Sequence, residues 1–125
     1  RLEEAGGNVD YERFGEEVIA GIKSRQPFSY RIFDCKKMAL GDYITVSPKK
    51  LNIIEGLYSM HPTLIDNYDL KVFLKLNGEE QKKRILRRNG EAGLEQFVTK
   101  WIPKENMYFE KMRIEEKCDL RFNLN

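Results

Sequence analysis

The stretch QKKRILRRNG holds five cations within seven positions: Lys82, Lys83, Arg84, Arg87 and Arg88. On a helix, Arg84, Arg87 and Arg88 fall at i, i+3 and i+4 and share one face. Guanidinium groups are planar, permanently charged forks of donors, so three on one face suit the oxygens of a polyphosphate. The same run also reads as a solvated helix surface, with cations favoured near the helix C-terminus, and taken alone this plainer reading weighs more. A second candidate lies upstream. The stretch LNIIEGLYSMHP, residues 51–62, puts Glu55 at the tip of an expected buried strand and follows it with Gly56. A carboxylate there either caps the next turn or offers oxygen to a hard cation such as Mg2+, directly or through water.

Three more positions bear on a substrate. Asp10 reads first as a helix N-cap and second as an acceptor for substrate hydroxyls. Phe33 and Asp34 set an aromatic ring beside a carboxylate on an expected hairpin. That pair suits a planar polar ligand, although most aromatic residues on strands are core. His61 is the single histidine, and its MHP context marks a turn. With one histidine and no serine elbow, the pattern speaks against a hydrolytic triad. Cys35 and Cys118 stand far apart, outside any CxxC or Cys/His cluster, and read as two unpaired thiols of a reducing cytosol.

These groups need a scaffold. At 125 residues the chain suffices for one domain, and 41% hydrophobic with 34% charged residues fits a globular core under a solvated surface. A net charge of +2 is too small to mark a general nucleic-acid binder. No apolar run reaches the roughly 18 residues of a membrane span. A helix is expected over NVDYERFGEEVIAGIKSRQ, capped by Asp10, stapled by Val9 and Phe14, with Phe14, Val18 and Ile22 on its buried face and Pro27 beyond its end. FSYRIF (28–33) and YITV (43–46) form a long-looped hairpin. LNIIE (51–55) and YDLKVFLKL (68–76) read as strands covered on both sides, the second burying Leu70, Val72, Leu74 and Leu76. A helix follows from the cap Asn77, with Glu80 at the capping-box position, to Gly90. A longer helical region then uses Leu94, Val98, Trp101, Tyr108 and Met112 as its core face, with a kink or restart at Pro103. CDLRFNLN closes the chain as a strand. Buried strands alternating with helices predict an α/β three-layer domain on a mainly parallel sheet, where ligands gather at the carboxyl ends of strands.

Taken in order, GGNVDYERF, FSYRIFDC, LNIIEGLYSMHP, YDLKVFLKL, QKKRILRRNG and LEQFVTKWIPKENMYFE…CDL resemble the uridine kinase branch of the P-loop kinases, which includes phosphoribulokinase and pantothenate kinase. The resemblance covers nearly the whole chain. It implies a P-loop NTPase fold of the nucleoside kinase type with a small hairpin insertion at about 28–46. It also implies cytoplasmic transfer of the ATP γ-phosphate, with Mg2+, to a hydroxyl of a nucleoside or similar small molecule. Membrane and nucleic acid are not expected partners; a homo-oligomer is an allowed expectation, with the oligomeric state left open. Asp10 then matches a carboxylate that binds ribose hydroxyls, Phe33 and Asp34 the pair on the base side, and Glu55 an acidic residue near Mg2+ and the phosphates. Arg84 matches an arginine reaching ribose and phosphate, Arg87 one that meets ATP phosphates, and residues 87–95, with Arg88, a mobile lid.

Two features depart from the family. No GxxxxGK[ST] loop stands anywhere in the chain, nor does the family's Asp-Asp-aromatic motif. The chain is therefore expected to form the C-terminal part of such a kinase and to be inactive by itself. The family's phosphate-loop strand lies between the strands matching LNIIE and LKVFL, so a sheet without it should have open edges. Met38 and Lys100 also stand where uridine–cytidine kinases carry a histidine and a glutamine, which leaves the phosphate acceptor open. The alternative expectation is a non-catalytic nucleotide- or phosphate-binding module.

Overall fold

A computed structural model describes residues 3–124. The first helix is continuous but built in three parts: α1 (Tyr11–Phe14), a wider π segment (Gly15–Ile19) and α2 (Ala20–Ser24). Asp10 caps it as expected, its Oδ1 accepting from the Arg13 N–H at 3.2 Å. The expected burial of Phe14, Val18 and Ile22 is modified. Those three are half-buried, whereas Ile19 is the buried residue at 7% exposure. A π turn adds one residue to the helical repeat, so the inward position after Phe14 moves from i+4 to i+5. The helix stops at Arg25, whose φ of 59° is left-handed, two residues before Pro27. Gly21 permits the chain to fold back at once, since a Cβ there would lie 2.3 Å from the Phe28 ring.

Strands β1 (Phe28–Asp34) and β2 (Ala39–Val46) pair antiparallel from Phe28↔Val46 to Asp34↔Ala39, with a bulge between Arg31 and Phe33. Asp34 Oδ1 accepts from the N–H groups of Lys36 and Lys37 at 2.9 and 3.1 Å and so shapes the turn. The second sheet is also two-stranded: β3 (Val72–Lys75) and β4 (Leu120–Asn123) run parallel, Val72 opposite Leu120. The connection between them is helical. α3 (Gly78–Gln96) starts at Asn77, whose Oδ1 accepts from the Glu80 N–H at 2.8 Å. It breaks at Gly90, where φ is +76° and ψ is −179°. It then passes through a π segment (Phe97–Trp101) into α4 (Ile102–Lys111), which has Pro103 in its first turn.

The core sits between β3, α4 and the segment that follows α4. Tyr108, Ile114 and Cys118 are buried, with Tyr58, Met60, Phe73, Phe109 and Met112 packed on them. Phe73 meets Phe109 edge to face at 5.2 Å. The fold is thus mixed α/β, with a small antiparallel hairpin and a two-stranded parallel sheet.

Two expectations are corrected. Residues 51–55 form no strand: Leu51 and Ile53 are 75% and 83% exposed, and Asn52 closes a local turn with Lys49. An extended segment becomes a strand only when a neighbour takes its backbone groups, and no described residue does so. In β3 the packed residue is Phe73, while Leu70 and Leu74 are 62% and 59% exposed. Side chains alternate across a strand, and α4 lies on the Phe73 side. Leu74, Leu120 and Phe122 therefore form a bare apolar face on the other. The parallel part of the expected α/β layering is, among the described residues, the two-stranded sheet of β3 and β4, with α4 on one of its faces.

Candidate functional site

The candidates fall into three groups. The first joins the helix to the hairpin. The Arg13 guanidinium donates through Nε to Asp10 Oδ2 at 3.2 Å, and through Nη1 to Glu17 Oε2 at 3.2 Å and the Arg31 carbonyl at 2.8 Å. Glu17 Oε2 also accepts from the Arg31 N–H at 3.3 Å. The Arg31 side chain reaches across β2, donating to the Gly41 and Leu40 carbonyls at 3.1 Å each and lying 5.3 Å from the centre of the Tyr43 ring. Asp10, Phe33 and Asp34 thus belong to one connected unit. Phe33 is 43% exposed and Asp34 half-buried, so both remain open to a ligand.

Neither Arg13, Glu17 nor Arg31 was an expected site residue. The signal was legible in part: Asp10, Arg13 and Glu17 stand at i, i+3 and i+7, the spacing of ion pairs along one helix face. The partner on β1 was not, because it lies 18 residues away from Arg13.

The second group is the loop after Glu55. Glu55 is exposed, which removes the problem of a buried strand-tip charge. It does not close the following turn. Ser59 does, donating through N–H and Oγ to the Gly56 carbonyl at 3.1 and 2.7 Å. The loop is zipped to the chain's beginning by rings. Tyr11 stacks on His61 with centroids 3.9 Å apart, and His61 lies parallel to Tyr108 at 6.5 Å. Asn8 hydrogen-bonds the Tyr58 side chain. His61 is buried, and its Nδ1 contacts the Thr63 hydroxyl at 2.9 Å and accepts from the Thr63 N–H at 3.2 Å. The segment carrying Asp10 is therefore seated against the segment that follows Glu55.

Burial governs titration here. It pushes the Tyr68 hydroxyl up to about 12, and that hydroxyl donates to the Ser59 carbonyl at 2.5 Å. Burial also raises Tyr108, with Tyr58, Tyr68 and Cys118 adding to it. Tyr58 is raised by burial against a lowering by Asn8, and Glu105 by burial alone. The Cys118 thiol is pushed up by burial, so it resists forming the thiolate that reactivity needs. Among the described residues, the Tyr108 hydroxyl is fully buried without a hydrogen-bond partner.

The third group is α3. Arg84, Arg87 and Arg88 are all exposed, and only Ile85 anchors this part of the helix in the interior. Arg84 is held by Glu80 at 3.2 Å, one turn earlier. Arg88 donates to Asn89 Oδ1 at 2.7 Å and lies 5.7 Å from the Phe97 ring, across the break at Gly90. Among the described residues Arg87 has no ion pair. No hydrogen bond or ion pair among them links these arginines to Glu55 or to the Asp10 unit.

No three His, Cys, Asp or Glu side chains among the described residues converge as a metal-ligand set. Mg2+ in phosphoryl-transfer sites takes one or two carboxylates and completes its shell with water and substrate phosphates. A single exposed carboxylate such as that of Glu55 is compatible with that mode. No described helix is long and apolar enough to cross a membrane. No model of a known protein family matches the chain, and no curated protein does.

Proposed function

We propose that the chain is the C-terminal part of an ATP-dependent phosphotransferase of the uridine kinase type, acting on a hydroxyl of a nucleoside or similar small molecule. One observation carries this reading. A parallel strand, β3, feeds straight into a helix whose exposed arginines precede a glycine break. Anionic ligands of parallel α/β sheets gather at strand carboxyl ends, and arginines on a hinged helix can close over phosphates there. The edge of β3 turned away from β4 and the bare face of Leu74, Leu120 and Phe122 support it too. A phosphate-loop strand and its helix, supplied from outside these residues, would complete both.

In this reading ATP and Mg2+ supply the transferable phosphoryl group and the charge that screens it. Arg87 and Arg88 would bind the phosphates, Arg84 would bridge phosphate and acceptor, and Glu55 would hold Mg2+, directly or through water. Asp10 accepts from acceptor hydroxyls, and Phe33 with Asp34 contacts the acceptor's planar end. Phosphoryl transfer asks chiefly for positioning and charge stabilisation, which these groups offer. The absence of GxxxxGK[ST] from the chain favours a second reading, a phosphate-binding module without turnover.

The test is phosphoryl transfer from labelled ATP by the whole gene product that contains these residues, with nucleosides, pantothenate and sugars as acceptors. Transfer to one acceptor class is expected, with none from the 125-residue chain alone. ATP binding without transfer to any acceptor would leave the second reading and reject the first.

A further inference from the structure

We propose that Arg13 is a positioning residue, coupling Asp10 to the base of the hairpin that carries Phe33 and Asp34. The inference rests on the reading of Asp10 and Phe33 as acceptor-binding groups. Its physical content is the clamp itself. An arginine and a glutamate one turn apart on an exposed helix usually contribute little. This pair differs in what it grips. Arg13 Nη1 takes the Arg31 carbonyl at 2.8 Å, and Glu17 Oε2 takes the Arg31 N–H at 3.3 Å. Together the two side chains satisfy both backbone groups of one strand residue, as a neighbouring strand would.

The position gripped matters. Arg31 pairs with Tyr43, and the register slips immediately after it, between Arg31 and Phe33. The extra residue lies on β2, where Gly41 and Asp42 stand opposite Ile32 alone, so β2 bends there and shifts the partners that β1 meets beyond it. Phe33 and Asp34 lie beyond it, opposite Leu40 and Ala39. The Arg31 side chain fixes the far side of the same bend through the Gly41 and Leu40 carbonyls. Clamping Arg31 therefore sets the direction in which Phe33 and Asp34 project.

The other end of the clamp is Asp10. Its two oxygens accept from the Arg13 N–H and from Nε, at 3.2 Å each, which fixes the plane of the carboxylate. The Asp10 side chain is still 55% exposed, against 25% for Arg13 and 29% for Glu17. Each carboxylate oxygen has a second lone-pair site, so Asp10 is held in place without being used up. A guanidinium fork spans Asp10, Glu17 and the Arg31 carbonyl at once. A lysine ammonium is a point charge at the end of a flexible stem and gives no such planar span.

Two measurements test the coupling. Hydrogen exchange on the 125-residue chain needs no substrate. Arg13→Met and Asp10→Asn should each speed exchange over residues 28–40 at least threefold while leaving 102–111 as in the parent; unchanged exchange at 28–40 in both overturns the proposal. Kinetics on the whole gene product then separate positioning from folding. Displacements near 1 Å cost up to about a hundredfold, so Arg13→Met should raise the acceptor KM roughly tenfold or more, with the KM for ATP within about twofold. Arg13→Lys should fall between the two, and it carries the test if Arg13→Met does not fold. An unaltered acceptor KM with robust turnover overturns the positioning role and leaves the kinase reading intact. No turnover in the parent protein rejects the kinase reading and the positioning role with it, while altered exchange would still mark the clamp as a physical link.

Discussion

The buried hydroxyl of Tyr108 gives the sharpest test of the packing. Tyr108 has no exposed surface, and among the described residues its hydroxyl has no hydrogen-bond partner. The ring is well placed, 4.7 Å from Tyr58 and 5.4 Å from Phe109. Tyr108→Phe keeps those contacts and removes only the oxygen. A buried polar group left unmatched costs about 1–3 kcal/mol. Part of that gain is offset by the small void the oxygen leaves, at most about 1 kcal/mol. The net expectation is a stabilisation of about 1 kcal/mol, which raises the midpoint of a domain this size by roughly 3–5 °C. Tyr68→Phe is the control of opposite sign. Its hydroxyl donates to the Ser59 carbonyl, so its removal orphans an acceptor and should cost about 1 kcal/mol. Urea unfolding at neutral pH, followed by Trp101 fluorescence and circular dichroism, reads both. If Tyr108→Phe loses about 0.5 kcal/mol or more at an unchanged m-value, the hydroxyl has a partner and the reasoning is wrong.

Two further outcomes follow from the same structure. Gly90 adopts φ +76° and ψ −179°, a region that other residues enter only at about 1–3 kcal/mol, so Gly90→Ala should lower stability by that amount. An unchanged midpoint with higher helix content would show instead that the glycine, and not packing, makes the break. Glu105 has its carboxyl raised by burial, so the folded state holds a proton that the unfolded state has already released. Its contribution to stability is present below the unfolded value near 4.5 and lost as pH rises through the folded value. Glu105→Gln should match the parent below pH ~4 and exceed it at neutral pH, as the difference between two chemical-denaturation series. Equal stability at both ends would mean that burial does not penalise this charge.

Local chemistry was legible in the sequence. The caps at Asp10 and Asn77, the hairpin over 28–46, the break at Gly90 and the closing strand each follow from residues within a few positions of one another. Such features need only backbone preference and neighbouring side chains, and these a sequence carries in full. The parallel partnership of β3 and β4 was legible only as a class, through strands alternating with helices.

What the sequence did not decide depended on who covers what. LNIIE has the composition of a buried strand, yet Ile53 is exposed, because no described segment takes its backbone groups. Leu74 and Phe73 are both apolar, and only the placement of α4 chose Phe73 for the core. Arg13 looks like an ordinary helix arginine until β1 arrives beside it and offers the Arg31 carbonyl. Capping and turn preferences act over a few residues, so the 125 letters determined them. Burial, strand partnership and the clamp at Arg31 join residues far apart in the chain, so the packed tertiary structure alone decided them.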